Sequence, residues 1–357
     1  MFSGLKTNIR SRIIQAPMAG VSTPEMAAAV SNSGAIGSIG LGGIKLDDAV
    51  TIIEKTKQLT DRPFNINLFC HDPSVNIDPS KETGWRQLIN TSHFNGRNIL
   101  DAPLRNIYQS IKSNIALANA VASQDPKIIS FHFGVPDEEI ISIFRKTGAK
   151  LIATATSLEE GQYIMQRGLD GIVAQGFEAG GHRGVFDVSK YDECLSTRAL
   201  TRLLVENVSI PVIAAGGIMT GRDIASLLSI GAVGVQLGSA FLACDESSAT
   251  KRHKDLIRST PRIATAMTRV ISGRPARSIL TPFVEWGFHV MDKDIPDYPY
   301  SYDAFKQMQK RKSIEGDGDI GPFWAGQNAS FARFMKAENI IRALEKEYNE
   351  YVSEISI

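Results

Sequence analysis

Cysteine is scarce: three residues in 357, Cys70, Cys194 and Cys244, with no C-x-x-C pair among them. So scattered and odd a set excludes a disulfide framework and a cysteine-based zinc site. It suits free thiols in a reducing compartment, each placed in core or loop. No stretch approaches the roughly 18 uninterrupted apolar residues that a membrane span requires. An excess of one charge is also missing, since 39 Lys+Arg stand against 38 Asp+Glu for a formal net charge of +1. Without a strong positive field, nucleic acid is not expected as the main partner. The sequence contains no HExxH, EF-hand loop, GxSxG or GxxxxGK[ST], which argues against metalloprotease, calcium, α/β-hydrolase and P-loop chemistry, and no metal site is expected. The opening MFSGLKTNIRSR runs into IIQAPM without a signal-peptide core, and the closing ISI is no retention tripeptide. A soluble cytoplasmic protein is expected.

What the chain does contain is a beat of short apolar runs, each followed by an amphipathic stretch. Runs at 13–18, 35–40, 64–69, 128–134, 150–156, 171–176, 211–217 and 234–242 read as strands. Most lack polar alternation, as expected of parallel strands covered on both faces. Helices are expected at 45–58 and at 221–230, where Ile224, Leu227 and Leu228 share a face. Ser157 with Glu160 reads as a capping box, and Asp137 and Thr220 as helix caps. Strand starts at 128, 150 and 171 lie 22 and 21 residues apart, one βα unit each. Eight such units close most naturally into a TIM (β/α)8 barrel, an α/β fold whose active face lies at the strand C-termini.

Two intervals are too long for simple connections. Residues 71–125 and 261–327, rich in Pro, Asn, Asp and aromatics, are read as two lobes of a smaller inserted substrate (cap) domain that pack together beside the barrel mouth. The barrel then comprises 1–70, 126–260 and 328–357, with 329–351 as a helix returning to the wall.

Glycines mark the strand ends. Gly216-Gly217 and the run Gln236–Leu237–Gly238–Ser239 end the last two strands, where a barrel commonly holds a phosphate on backbone N–H groups. Ordinary turn glycines are the alternative. AIGSIGLGG at 35–43 is not G-x-G-x-x-G and reads as close packing near a ligand rather than a dinucleotide fingerprint. QGFEAGGHR at 175–183 carries most information: two glycines let the backbone approach a flat ligand, and His182 then stands at the barrel mouth beside Arg183. A single histidine is often structural, but this placement points to function. Glu178 reads as a capping residue rather than a base. His132, ending the fourth strand in FHFG, has similar placement, whereas His71, His93, His253 and His289 lack such context. Asn67 and Gln175 are neutral amides suited either to an isoalloxazine edge or to backbone capping. A phosphate-bearing organic cofactor fits this set better than a metal. In the second lobe Tyr298, Tyr300 and Tyr302 precede Lys306, and Tyr108 lies in the first lobe; together they would bind a small anion, or simply pack as a lid.

Taken in order, APMAGVSTPEMAAAVSNSGAIGSIG, FNINLF, FHFG, QGFEAGGHRG, AAGGI, QLGSAFL and WAGQ resemble the nitronate monooxygenase family, formerly 2-nitropropane dioxygenases, and its class I members in particular. The likeness runs nearly the whole chain; the opening AGV, where many relatives have AGG, is a small departure. Related flavoproteins, including NADH:quinone reductases and FMN-dependent enoyl reductases, share parts of it. The resemblance implies a TIM barrel with tightly bound FMN. Ala16, Pro17, Met18, Asn67 and Gln175 would contact the flavin ring. Gly180, Gly216, Gly217, Gln236, Leu237, Gly238 and Ser239 would hold its phosphate and ribityl chain. His182 matches the active-site histidine, and Tyr108, Tyr298, Tyr302 and Lys306 match positions in or near the substrate cavity, which His132 would also line. The implied reaction is oxidation of an alkyl nitronate, typically propionate 3-nitronate, by dioxygen to a carbonyl compound and nitrite or nitrate, a detoxification carried out by a monomer or homodimer. An FMN-dependent NAD(P)H:quinone or enoyl reductase on the same fold is the alternative, and a flavin-binding scaffold without turnover is a third reading.

Overall fold

The computed structural model describes residues 10–73, 77–92, 102–112, 114–259, 262–315 and 320–355. Eleven strands occur among them: β1 (Ile13–Gln15), β2 (Gly37–Gly40), β3 (Phe64–Phe69), β4 (Ile128–His132), β5 (Lys150–Ala155), β6 (Gly171–Gln175), β7 (Gly181–His182), β8 (Val212–Ala215), β9 (Gly234–Leu237), β10 (Thr265–Thr268) and β11 (Ala276–Ile279). Eight of these form one all-parallel sheet in the order β1-β9-β8-β6-β5-β4-β3-β2. A parallel bridge between Ile14 and Ile36 joins its two ends and closes the ring. The fold is the expected TIM barrel.

Both faces of the sheet are apolar for a reason visible in the side chains. Ile14, Ile36, Ile128, Ile152, Val173 and Ile213 point inward and meet in one cluster, while Ile129, Phe131, Leu151 and Ile172 pack outward under the helices. Above the inner isoleucines the lining turns polar: Asn65, Asn67, Ser130, Thr154 and Gln175 are buried toward the strand C-termini. An apolar plug below and a polar floor above place any ligand at the C-terminal mouth.

Most of the strands end earlier than their apolar runs. The run at 211–217 leaves the ladder after Ala215 because Gly216 and Gly217 adopt φ of +121° and +69°. The run at 234–242 turns at Gly238 into a 3-10 helix, Ser239–Phe241. Thr220 and Asp223 form a full capping box at helix Gly221–Ser229. At helix Leu158–Gln166 only half of the expected box exists. Ser157 accepts from the Glu160 N–H, but the Glu160 carboxylate reaches Thr156 N–H and Phe186 N–H instead of Ser157. Asp137 occupies the N-cap of Glu138–Lys146 without making a side-chain cap bond. The last helix, Ala337–Ile355, starts later than expected, after the 3-10 turn Ala329–Phe331. Its Ile340, Ile341 and Leu344 pack on the barrel with Ile224 and Leu227.

Beside the mouth, Trp85, Ile89 and Leu104 from the first long interval share a core with Val270, Phe283, Tyr300, Phe305 and Met308 from the second. Helix Ile115–Ala122 does not join them; Leu117, Ala118 and Val121 bury against the barrel wall. A small antiparallel sheet, β10-β11-β7, stitches the cap side to the loop that carries His182.

Candidate active site

One cavity of about 570 Å³ opens at the C-terminal ends of the barrel strands and is also lined by residues of the two long intervals expected to form the cap. Ala16, Pro17, Met18, Asn67, His132, Gln175, Gly180, His182, Gly216, Gly217 and the Gln236–Ser239 run line it from the barrel, and Tyr108, Tyr302 and Lys306 from the cap. Residues read from eight separate stretches of sequence therefore converge on one space.

His182 sits in β7, held on every side. Its Nε2 lies 2.9 Å from Ser272 Oγ. Ser272 donates its single hydroxyl hydrogen to the Arg274 carbonyl at 3.1 Å, so Nε2 carries the imidazole hydrogen and Nδ1 keeps the lone pair. The His182 carbonyl accepts from His132 Nε2 at 3.2 Å and from Gln175 Nε2 at 3.0 Å. A carbonyl can only accept, so His132 is also the Nε2–H tautomer, and its Nδ1 accepts from Thr154 Oγ1 at 3.0 Å. Burial pulls the pKa of His182 down to about 3, with His132 and Arg274 adding repulsion. Burial likewise lowers His132 to about 4. Both rings are neutral at physiological pH.

The opposite wall is aromatic and carries one cation. The Lys306 ammonium lies 4.7 Å from the ring centroid of Tyr108 and 5.3 Å from that of Tyr302. Among the described residues it has no ion-pair partner, and burial lowers its pKa. Tyr302 and Trp324 both approach the His182 ring, at 6.1 and 5.1 Å between centroids. Burial raises the hydroxyl pKa of Tyr108 and of Tyr302, so both remain donors. A neutral imidazole, two phenols and one ammonium thus line the same cavity.

Sequence comparison decides what this site belongs to. The pattern of the nitronate monooxygenase family matches residues 4–347. The chain belongs to the nitronate monooxygenase family. A nitronate monooxygenase of Paraburkholderia phytofirmans is 42% identical over 344 residues, 96% of this chain and 93% of the relative. The nitroalkane oxidase from Streptomyces ansochromogenes superposes with a TM-score of 0.87 at 33% identity, covering 98% of each chain. FabK from Thermotoga maritima gives 0.72 at 27%, covering 99% of this chain and 97% of its own. This chain is thus an oxidoreductase enzyme of the nitronate monooxygenase type.

Flavin use is implied for this nitronate monooxygenase by its family, and the cavity floor fits such a group. Gly216 and Gly217 line the cavity with successive positive φ angles, a backbone that glycine adopts without strain and that leaves no side chain between the loop and a ligand. A Cβ at Gly216 would crowd Thr197 Oγ1 at 2.7 Å. Gln236 lines the cavity, and its buried Oε1 has no protein donor, so it is free to accept from a ligand. Asn67 donates through Nδ2 to Ser130 O and Oγ at 3.2 and 2.9 Å. The N-terminus of helix Gly221–Ser229 is not available to a phosphate, because Asp223 already accepts from Met219 and Thr220 N–H.

Some residues serve differently from their sequence reading. Gln175 is engaged at both ends within the protein, its Oε1 accepting from Gly184 N–H at 2.7 Å while Nε2 holds the His182 carbonyl. Tyr298 does not line the cavity. It is buried behind it, packed against His71, Phe133 and Tyr108. Arg183 is a strut, bidentate to Asp192 at 2.7 and 2.9 Å. Glu178, by contrast, caps as expected, accepting from Thr197 N–H at 2.8 Å. His253 does line the cavity, contrary to its bland reading, and His71 is buried beside Tyr298. His93 lies outside the described residues. Ser272 and Thr154 are not legible as site residues, for nothing local marks them; Phe69 and Trp324 are present only within the FNINLF and WAGQ motifs.

Proposed function

We propose that this enzyme oxidises alkyl nitronates, propionate 3-nitronate being the typical substrate, using FMN and dioxygen to give a carbonyl compound and nitrite or nitrate. The observation that carries this reading is the single cavity in which His182, Lys306, Tyr108 and Tyr302 face a floor of glycines and amides. Ala16–Met18, Asn67 and Gln175 would meet the flavin ring, and Gly180, Gly216, Gly217 and Gln236–Ser239 its phosphate and ribityl chain. Bound FMN supplies the electron chemistry between substrate and dioxygen. The protein's task is then to position and to exclude water.

A nitronate is already a carbanion equivalent, so little base catalysis is needed. Tyr108 and Tyr302 donate hydrogen bonds to the substrate, and Lys306 pairs with a substrate carboxylate. His182, neutral and fixed by Ser272, presents Nδ1 as an acceptor; it orients the substrate, and takes a proton only from a neutral nitroalkane.

The test is the visible spectrum of the purified protein before and after anaerobic addition of propionate 3-nitronate. Flavin absorbance that bleaches with nitronate and returns on admitting oxygen is the expected result. Rapid bleaching by NADH without any response to nitronate would assign the chain to reductase chemistry instead. A colourless protein that takes up no FMN would end the proposal.

A further inference from the structure

Behind the cavity wall the protein buries a positive charge without an acid to meet it. Arg274 is 7% exposed, and among the described residues no carboxylate lies within ion-pair distance of it. Its guanidinium donates to the Val185 carbonyl, its Nε has no acceptor, and its carbon sits 4.4 Å from the ring centroid of Phe133. The nearest acids are committed elsewhere: Asp72 pairs with Lys112, and Glu160 accepts from Thr156 and Phe186. The other two buried arginines of this face are provided for. Arg183 pairs with Asp192, and Arg277 spends Nε and one terminal nitrogen on the Phe177 carbonyl, at 3.0 and 2.8 Å.

Phe133 fixes where this charge is felt. It is 1% exposed and holds φ of +77°, a strained conformation for a bulky residue. The ring packs against Arg274 and also against His132 and His182, whose centroids are 4.5 and 5.6 Å away. Arg274 is also tied to His182 through Ser272, whose hydroxyl bonds both the imidazole and the Arg274 carbonyl. A buried guanidinium is costly to desolvate, and one without a counter-ion is tolerated where another anion supplies the balance.

We infer that Arg274 is a charge-selecting residue of this site: acting across the Phe133 ring, without touching substrate, it makes the cavity prefer an anion over a neutral molecule of the same shape. The inference deepens the proposed function, since it rests on the cavity accepting an anionic substrate, and it adds a second cation to the visible one on Lys306. One unit charge a ring's width away, at an effective dielectric of about 20, changes anion affinity on the order of tenfold.

The experiment uses the flavin-loaded protein and an isosteric pair of probes, trifluoroacetate and trifluoroacetamide, with binding followed by fluorine NMR. Neither is turned over, so the measurement stands whether or not nitronates prove to be substrates. Arg274→Met is expected to weaken trifluoroacetate about tenfold and leave trifluoroacetamide unchanged, while Arg274→Lys keeps most of the preference. Equal weakening of both probes by Arg274→Met would show a packing role only and overturn the inference. A second variant covers the case in which Arg274→Met does not fold. Lys306→Met removes the one Lys or Arg that lines the cavity among the described residues, and it is expected to lower the preference for trifluoroacetate without abolishing it. If the two probes bind Lys306→Met equally well, Arg274 is not felt in the cavity and the inference is wrong.

Discussion

His182 donates its Nε2 hydrogen to Ser272 Oγ at 2.9 Å, and Ser272 in turn donates to the Arg274 carbonyl at 3.1 Å. This relay fixes the imidazole by a residue 90 positions later in the chain. In Ser272→Ala the ring loses its anchor and can rotate. Stability is expected to fall by about 1 kcal/mol, the value of one hydrogen bond, and kcat/KM for nitronate by about tenfold. Stopped-flow flavin reduction on the variant checks this; an unchanged rate would mean that packing alone holds the ring.

Replacing the histidine separates its two roles. His182→Asn keeps a polar group but loses the basic nitrogen. Nitronate turnover is expected to fall by less than about tenfold, and turnover of a neutral nitroalkane by about a hundredfold or more, because only the latter needs a proton removed. Parallel oxygen-uptake assays with nitroethane and ethylnitronate give the two numbers. Nitronate turnover identical to wild type would remove His182 from the mechanism.

Lys306 discriminates among nitronates by their second charge. Lys306→Met is expected to raise KM for propionate 3-nitronate about tenfold or more, the worth of a charge-assisted contact, and to leave ethylnitronate within about threefold. Steady-state kinetics on both substrates decide it, and an equal rise for both would place the ammonium elsewhere in the reaction.

Gly43 shapes the substrate wall from beneath. It holds φ of +80°, and a Cβ there would run into the ring of Tyr108. Gly43→Ala is expected to cost about 1–3 kcal/mol through backbone strain and overpacking, and to raise KM by displacing Tyr108. Thermal unfolding together with nitronate KM tests both halves; a fully active, equally stable variant would contradict this packing.

Acid should weaken the fold in a defined window. Burial lowers His71 to about 4, His132 to about 4 and His182 to about 3, against an ordinary 6.5. Below 6.5 the unfolded chain binds protons that the native chain does not, so stability is full above that pH and is lost as pH falls toward 4. Each histidine contributes up to about 1.4 kcal/mol per pH unit. Glu160, whose buried carboxyl is raised, offsets part of the slope near its low end. Urea unfolding at about pH 7 and about pH 5 should differ by several kcal/mol, and His71→Gln should remove about a third of the difference.

Much of this architecture was readable before any coordinates. The eight apolar runs became the eight barrel strands because burial on both faces writes a continuous hydrophobic signal that periodicity analysis can detect. The site residues at strand ends were readable for the same reason: once the runs were placed, the mouth of the barrel followed. Strand ends were misplaced where a glycine or a 3-10 turn left the ladder early, as at Gly216 and Ser239. Gln175 lines the cavity, as expected of a residue that ends a strand, while Tyr298 shares only the sequence neighbourhood of groups that do. Their actual partners come from β7 and from the His71–Phe133 cluster.

By itself, then, the order of residues determined the barrel, its family and the ends of the strands where chemistry belongs, because local periodicity and short glycine-rich motifs encode these within a few dozen residues. Tertiary structure alone decided which nitrogen of His182 carries the hydrogen, that Tyr298 packs against His71 and Phe133 instead of lining the cavity, and that Arg274 is buried without an acid. Hydrogen bonding, burial and electrostatics depend on distance in space, and the groups concerned lie as many as 227 residues apart along the chain, from His71 to Tyr298.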